Sequence, residues 1–208
     1  MEPKAFRTVR EPSYIEFEEK KSIFIGRAYP VKSEEEALAH LKEVRREHRD
    51  ATHNVYAFLL GDGTLARYSD DGEPQGTAGM PVLDAIRKSG LCDVCVIVTR
   101  YFGGTLLGAG GLVRAYSHTA VLALEAAGSV TYEPYEIYSL RCGYADYQKY
   151  SNLLNAAGAV TDSVDFGADV TLVFAVKRTD CDALLRRITE AGYGKHTPER
   201  IGERFDCQ

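Results

Sequence analysis

Apolar residues in this chain follow two rhythms in turn, every second residue and then every third or fourth, and the whole alternation runs to completion once and restarts at Pro134. A period of two puts side chains on alternate faces of a strand, and a period near 3.6 lines one side of a helix. SYIEFEEK and SIFIGRAYPV alternate around the Lys20–Lys21 pair, as an antiparallel strand pair does. Ser33 followed by Glu36 forms a capping box, after which Ala37, Leu38, Leu41 and Val44 recur at helical spacing. HNVYAFLL and TLARYS read as strands joined by a turn at Gly61, Asp62 and Gly63, and MPVLDAIRKSG as a short helix ending at Gly90. A β-branched strand from Cys92 to Thr99, the helix LVRAYSHTAVLALEAAG and a last strand, SVTYE, complete the first set.

After Pro134 the order is strand (EIYSLRCGY), helix (DYQKYSNLLNAAG), strand (AVTDSVDF), strand (DVTLVFAV), helix (TDCDALLRRITEAG) and strand (PERIGERFD). Gly167 supplies the turn between the middle strands, and Asp180 stands at the cap or in the first turn of the second helix. A βαββαβ order is the ferredoxin-like split βαβ unit. The chain is therefore expected to be α+β, with one domain over residues 1–133 and a second, ferredoxin-like domain over residues 134–208.

With 45% hydrophobic and 26% charged residues, each half can bury a core without metals or disulfides. No apolar stretch approaches the ~18 residues of a membrane span, and the start carries scattered charges in place of a secretory leader, so a cytoplasmic protein is expected. Five cysteines at unrelated spacings argue against a disulfide framework. Cys92 and Cys95 have redox or zinc spacing, but on a strand residues three apart face opposite ways, which favours a structural role. The net charge of −5 is shared: 16 basic against 19 acidic residues in 1–133, and 9 against 11 in 134–208. Neither half is the basic body of a strong nonspecific nucleic-acid binder, so any RNA contact has to come from a local patch.

Two segments have a composition too costly for mere connections: Asp70-Asp71-Gly72-Glu73-Pro74, and Arg100-Tyr101-Phe102-Gly103-Gly104 with Gly108, Gly110 and Gly111. Glycines ahead of a helix leave backbone N–H groups free at its positive end, which suits an anion, and Arg100 and Arg114 are the candidate charged clamp. Equally, the glycines serve positive φ and close packing. Neither a phosphate-binding Gly-Lys-Ser/Thr nor a dinucleotide G-x-G-x-x-G between strand and helix is present. Asp70, Asp71 and Glu73 are candidate Mg²⁺ ligands, although acids beside Gly and Pro more often make turns or caps. Thr77 is a candidate helix cap or anion contact, and no catalytic residue stands out.

DDGEPQGTAG and VTRYFGGTLLGAGGLVRAY together resemble the hallmark of the IMPACT family, in its bacterial two-domain form. The resemblance implies a ribosomal-protein-like α/β first domain, similar to domain IV of elongation factor G, and a second domain similar to its domain V. It carries over onto Asp70, Asp71, Gly72, Glu73, Pro74, Gly76, Thr77, Gly79, Pro81, Arg100, Tyr101, Gly103, Gly104, Gly108, Gly110, Gly111, Arg114 and Tyr116. Many relatives have Ser at the position of Gln75 and Lys at that of Met80. Eukaryotic relatives act through protein partners in translation control, and bacterial ones are linked to nucleic acid or the ribosome.

The expected function is accordingly a non-catalytic regulator of translation that contacts RNA, the ribosome or a translation-associated protein, without an obligate cofactor or a membrane. Its anion- or RNA-binding residues are expected to be Thr77, Arg100, Tyr101, Gly103, Gly104, Gly110, Gly111 and Arg114. The alternative is a metal-assisted enzyme acting on a small phosphorylated ligand.

Overall fold

The computed structural model describes residues 4–61 and 63–207, so the turn residue Asp62 lies outside it. These residues divide into two compact units, Phe6–Thr131 and the segment from Tyr132 onward.

The first unit contains β1 (Phe6–Val9), β2 (Ile15–Glu19), β3 (Ser22–Pro30), α1 (Glu34–Glu47), β4 (His53–Leu60), β5 (Leu65–Ser69), α2 (Gly79–Ser89), β6 (Val94–Tyr101), α3 (Ala109–Ala127) and the start of β7 (Ser129–Cys142). Strands β2-β3-β6-β4-β5 form an antiparallel sheet with β6 at its centre. Helix α1 lays Ala37, Leu41 and Val44 on one face, against Phe58, Leu60, Cys95 and Ile97. Helices α2 and α3 cover the other face, where Val82, Ile86, Tyr116, Ala120 and Ala123 meet Phe24, Val55, Val96 and Val98. Burial on both faces explains why the central strand reads VCVIV, a continuous apolar run with no alternation.

The Ser33 capping box forms: Ser33 Oγ accepts the Glu36 N–H at 3.2 Å, while Glu36 reaches the Lys32 N–H at 2.7 Å. Gly90 closes α2 in the left-handed conformation, as its place after the apolar stripe predicts. Strand β1 was not legible, because four residues in a polar stretch give no period. It pairs with β7, and just beyond it the Arg10 N–H reaches the Gly128 carbonyl (3.2 Å) while the Arg7 guanidinium reaches Ser129 Oγ (3.0 Å).

In the second unit, α4 (Tyr144–Ala156), β8 (Val160–Phe166), β9 (Val170–Lys177), α5 (Cys181–Ala191) and β10 (Glu199–Asp206) follow β7. The antiparallel order β10-β7-β9-β8 is that of the ferredoxin-like fold, with Tyr150, Leu154, Leu184 and Ile188 of the helices packed on Tyr138, Leu140, Leu172 and Phe174. Asp180 precedes α5 but makes no side-chain cap.

Two expectations are corrected. SVTYE and EIYSLRCGY form one strand, β7, with Pro134 inside it. Pairing with β9 begins only at Tyr135, opposite Lys177, so the donor that proline lacks falls outside that ladder. The strand expected from Cys92 starts instead at Val94, because Asp93 takes φ 53°. No disulfide joins cysteines among the described residues, and burial pushes the thiol of Cys95 up to about 12. No helix among the described residues is long and apolar enough to cross a membrane.

Candidate anion site and the buried carboxylate beside it

The acidic segment follows β5, and its three carboxylates go three separate ways. Asp70 Oδ1 accepts the N–H groups of Ala78 (3.0 Å) and Gly79 (2.8 Å), and Oδ2 that of Gly76 (2.9 Å), so it caps α2 from well upstream. Asp71 accepts the Asn54 N–H at 2.7 Å and pairs with Arg45. Glu73 turns inward, its side chain only 3% exposed, and Oε1 accepts from Arg100 Nη1 at 2.6 Å and the Tyr116 hydroxyl at 2.8 Å. Burial and the adjoining Glu73 charge raise Tyr116 well above an ordinary tyrosine, which keeps it a donor. In place of the metal site considered from sequence, these acids hold backbone N–H groups and arginines. Among the described residues no three His, Cys, Asp or Glu side chains are grouped to hold a metal. Asp70→Ala removes three acceptor contacts at once and should cost about 2 kcal/mol, the top of the capping range, measured as a shift in the urea midpoint.

Thr77 is also corrected. Buried, it gives its hydroxyl proton to the Pro74 carbonyl at 2.6 Å and neither caps α2 nor presents an anion contact.

Arg100 is 4% exposed, and beyond Glu73 it reaches Ser22 Oγ at 3.3 Å. Its guanidinium carbon lies 5.4 Å from the Phe24 ring centre and 5.6 Å from that of Phe102, and its buried Nε has no partner. It is a neutralised interior cation, unlike the free clamp expected from sequence. Tyr101 is likewise engaged, its hydroxyl 2.9 Å from His48 Nδ1. Arg27 Nη2 stands 3.0 Å from His48 Nε2 and can only donate, so Nδ1 carries the proton and donates to Tyr101. Burial, with the Arg27 charge, holds His48 below the ordinary histidine range and favours this neutral form.

Nothing in the sequence around His53 marks it as a site residue, because its placement depends on the acidic segment. Its Nδ1 lies 2.8 Å from the Asp71 carbonyl, which can only accept. The neutral ring therefore carries its proton on Nδ1 and presents a bare Nε2, 3.8 Å from Glu73 Oε1.

The glycine-rich loop joins β6 to α3. A Cβ on Gly103 would fall 2.0 Å from the carbonyl of Lys21, so only glycine fits against the β2–β3 hairpin there. Gly108 takes φ 70°, and α3 begins with no side-chain cap. The N–H groups of Ala109, Gly110 and Gly111 thus open the helix without an intrahelical acceptor. Beside this turn, Lys20, Arg114 and His118 share a groove of about 250 Å³ with Glu19 and Gly111. Arg100 lines a different cavity from Arg114, so the two arginines do not act as one clamp.

Lys20 and Lys21 have φ 49° and 67°, the type I′ hairpin conformation that favours Asn-Gly. Two lysines in such a turn break the local rule, and that anomaly was the available signal for their importance. Gly110 has no backbone need for glycine, since a Cβ there meets nothing nearer than Arg114 Nη1 at 3.8 Å. Gly110→Ala should therefore stabilise by about 0.4–1 kcal/mol in the same urea titration.

Residues 20–124, which hold both loops, match the Impact N-terminal domain. The chain belongs to the IMPACT family. Residues 140–195 match a second pattern, described as a domain of unknown function (DUF1949). The IMPACT family member YvyE of Bacillus subtilis is 34% identical over 192 residues, 92% of this chain and 88% of that protein. IMPACT family member YigZ of Escherichia coli is 38% identical over 160 residues, 76% and 78% of the two chains. A crystal structure described as that of a hypothetical protein aligns with a TM-score of 0.62 at 32% identity, covering 96% of this chain and 98% of that one. In this IMPACT chain both hallmark loops fall inside the first unit, one supplying Glu73 and the other the start of α3.

Proposed function

We propose that the first unit is a binding module of translation that grips single-stranded RNA by its phosphates at the start of α3. The observation that carries this reading is the uncapped turn Ala109–Gly110–Gly111 with Lys20, Arg114 and His118 grouped beside it. Backbone N–H groups at a helix start, with cations alongside, are a phosphate site. Phe102, 46% exposed and next to the loop, adds a face on which a base can stack. A net charge of −5 confines the attraction to this patch. The IMPACT resemblance supports the link to translation.

Fluorescence anisotropy with labelled single-stranded RNA across a salt series tests the reading. Two to three phosphate contacts give a slope of log K against log salt of about −1.5 to −2. Arg114→Glu should weaken binding about tenfold or more, through lost and then reversed charge. Binding indifferent to salt and to Arg114→Glu would overturn the proposal, and retention of a protein partner with no RNA affinity would make this a protein-interaction surface.

The strained lysine turn gives a separate prediction. Replacing Lys20-Lys21 by Asn-Gly should raise stability by about 1–2 kcal/mol while weakening RNA binding, a trade of stability against function seen in one melt and one titration.

A further inference from the structure

This inference rests on the RNA reading and adds the base that the module reads. Next to the start of α3 is a cavity of about 380 Å³ lined by Thr52, His53, Glu73, Phe102 and Leu106, and by Gly108 and Ala109 of the helix start. Its polar groups are few and incompletely used. The two hydrogen bonds that Glu73 accepts, from Arg100 and Tyr116, both fall on Oε1, so Oε2 has no hydrogen bond among the described residues although the side chain is 3% exposed. In its neutral form His53 adds a second acceptor, Nε2, because Nδ1 donates to the Asp71 carbonyl. Thr52 Oγ1 accepts the Phe102 N–H at 3.0 Å and keeps its own proton to donate.

Two acceptors and one donor remain for an occupant, beside an exposed phenyl ring. We propose that this cavity takes one unstacked guanine base of the bound RNA. Guanine alone among the four bases offers two adjacent donors, N1–H and the 2-amino group, together with an acceptor, O6. Adenine and cytosine each place a ring acceptor beside one amino donor, and uracil sets a single N–H between two carbonyls. Each of these turns a lone pair toward Glu73 or His53. Phe102 stacks on the base, backed by the Arg100 guanidinium at 5.6 Å. Gly108 and Ala109 line the same cavity and begin α3, which places the phosphate of that nucleotide at the helix start.

The test uses the full chain and labelled ten-residue oligouridine, alone or with one central guanosine or adenosine, with guanosine and adenosine monophosphates as competitors. The guanosine oligomer should bind about tenfold or more tighter than the adenosine one. Guanosine monophosphate should displace it at concentrations where adenosine monophosphate does not. Glu73 supports the fold, so the diagnostic variants are His53→Ala, which should erase the preference for guanosine, and Phe102→Ala, which should weaken binding of every oligomer. Both are to be confirmed folded by thermal melting. Equal affinity for all three oligomers overturns the guanine pocket and leaves the RNA module standing. Binding of guanosine monophosphate without RNA keeps the pocket and assigns it to a free nucleotide. Binding of neither ends both readings.

Discussion

Glu73→Ala is expected to lower the stability of the first unit by about 3–5 kcal/mol, a large part of the ~5–15 kcal/mol that holds an ordinary domain together. The size follows from what the variant leaves behind. Arg100 has side-chain exposure of 5% and its carboxylate partner one of 3%, so the loss strands a guanidinium that water solvates poorly. The Tyr116 hydroxyl loses its acceptor as well. Urea denaturation should show the midpoint fall with the slope unchanged. Replacing both partners together, Glu73→Leu with Arg100→Met, should recover most of the loss, because the charges are removed as a pair. A single-variant loss below about 1 kcal/mol would mean that the pair is solvated, against the burial described here.

Gly103→Ala should be the other severe change. Its new methyl would stand 2.0 Å from the backbone of Lys21 and 2.4 Å from the Ser22 nitrogen, and backbone cannot turn aside as a side chain can. Overpacking of this kind costs about 1–3 kcal/mol, and here more, because the hairpin and the loop must part. The same separation breaks the bond from the Gly103 N–H to Ser22 Oγ and moves the lysine turn away from α3. RNA binding should therefore fall together with stability. At Gly104 the obstacle differs: φ is +82° with open space around it, so alanine costs only the left-handed strain of about 1–2 kcal/mol. If the two alanine variants melted alike, close approach at Gly103 would not be what holds the loop.

The strands and helices were legible wherever the period extended over several turns or pairs. Ser33 with Glu36, the stripe of α3 and Gly90 each state a boundary in local chemistry, and the structure follows them. Pro134 misled because proline reads as a break, whereas it lies inside β7, opposite Phe205 of β10 and just before the ladder with β9 begins. The candidate site was legible as two unusual loops but not as an arrangement. Sequence alone cannot distinguish an arginine that greets an anion from one already neutralised by a glutamate 27 residues away, and Arg100 is the second kind. Tyr101 and Thr77 likewise spend their hydroxyls on His48 and on the Pro74 carbonyl. Long-range pairing decided each of these, and no local pattern carries it.

A titration of the ¹⁵N-labelled chain with short single-stranded RNA, followed through backbone amide resonances, decides whether the start of α3 holds RNA phosphate. Phosphate seated at the start of α3 predicts the largest shifts at Ala109, Gly110 and Gly111, with smaller ones at Lys20 and Lys21 and their suppression at high salt. Shifts confined to the second unit, or spectra unchanged at saturating RNA, would contradict it.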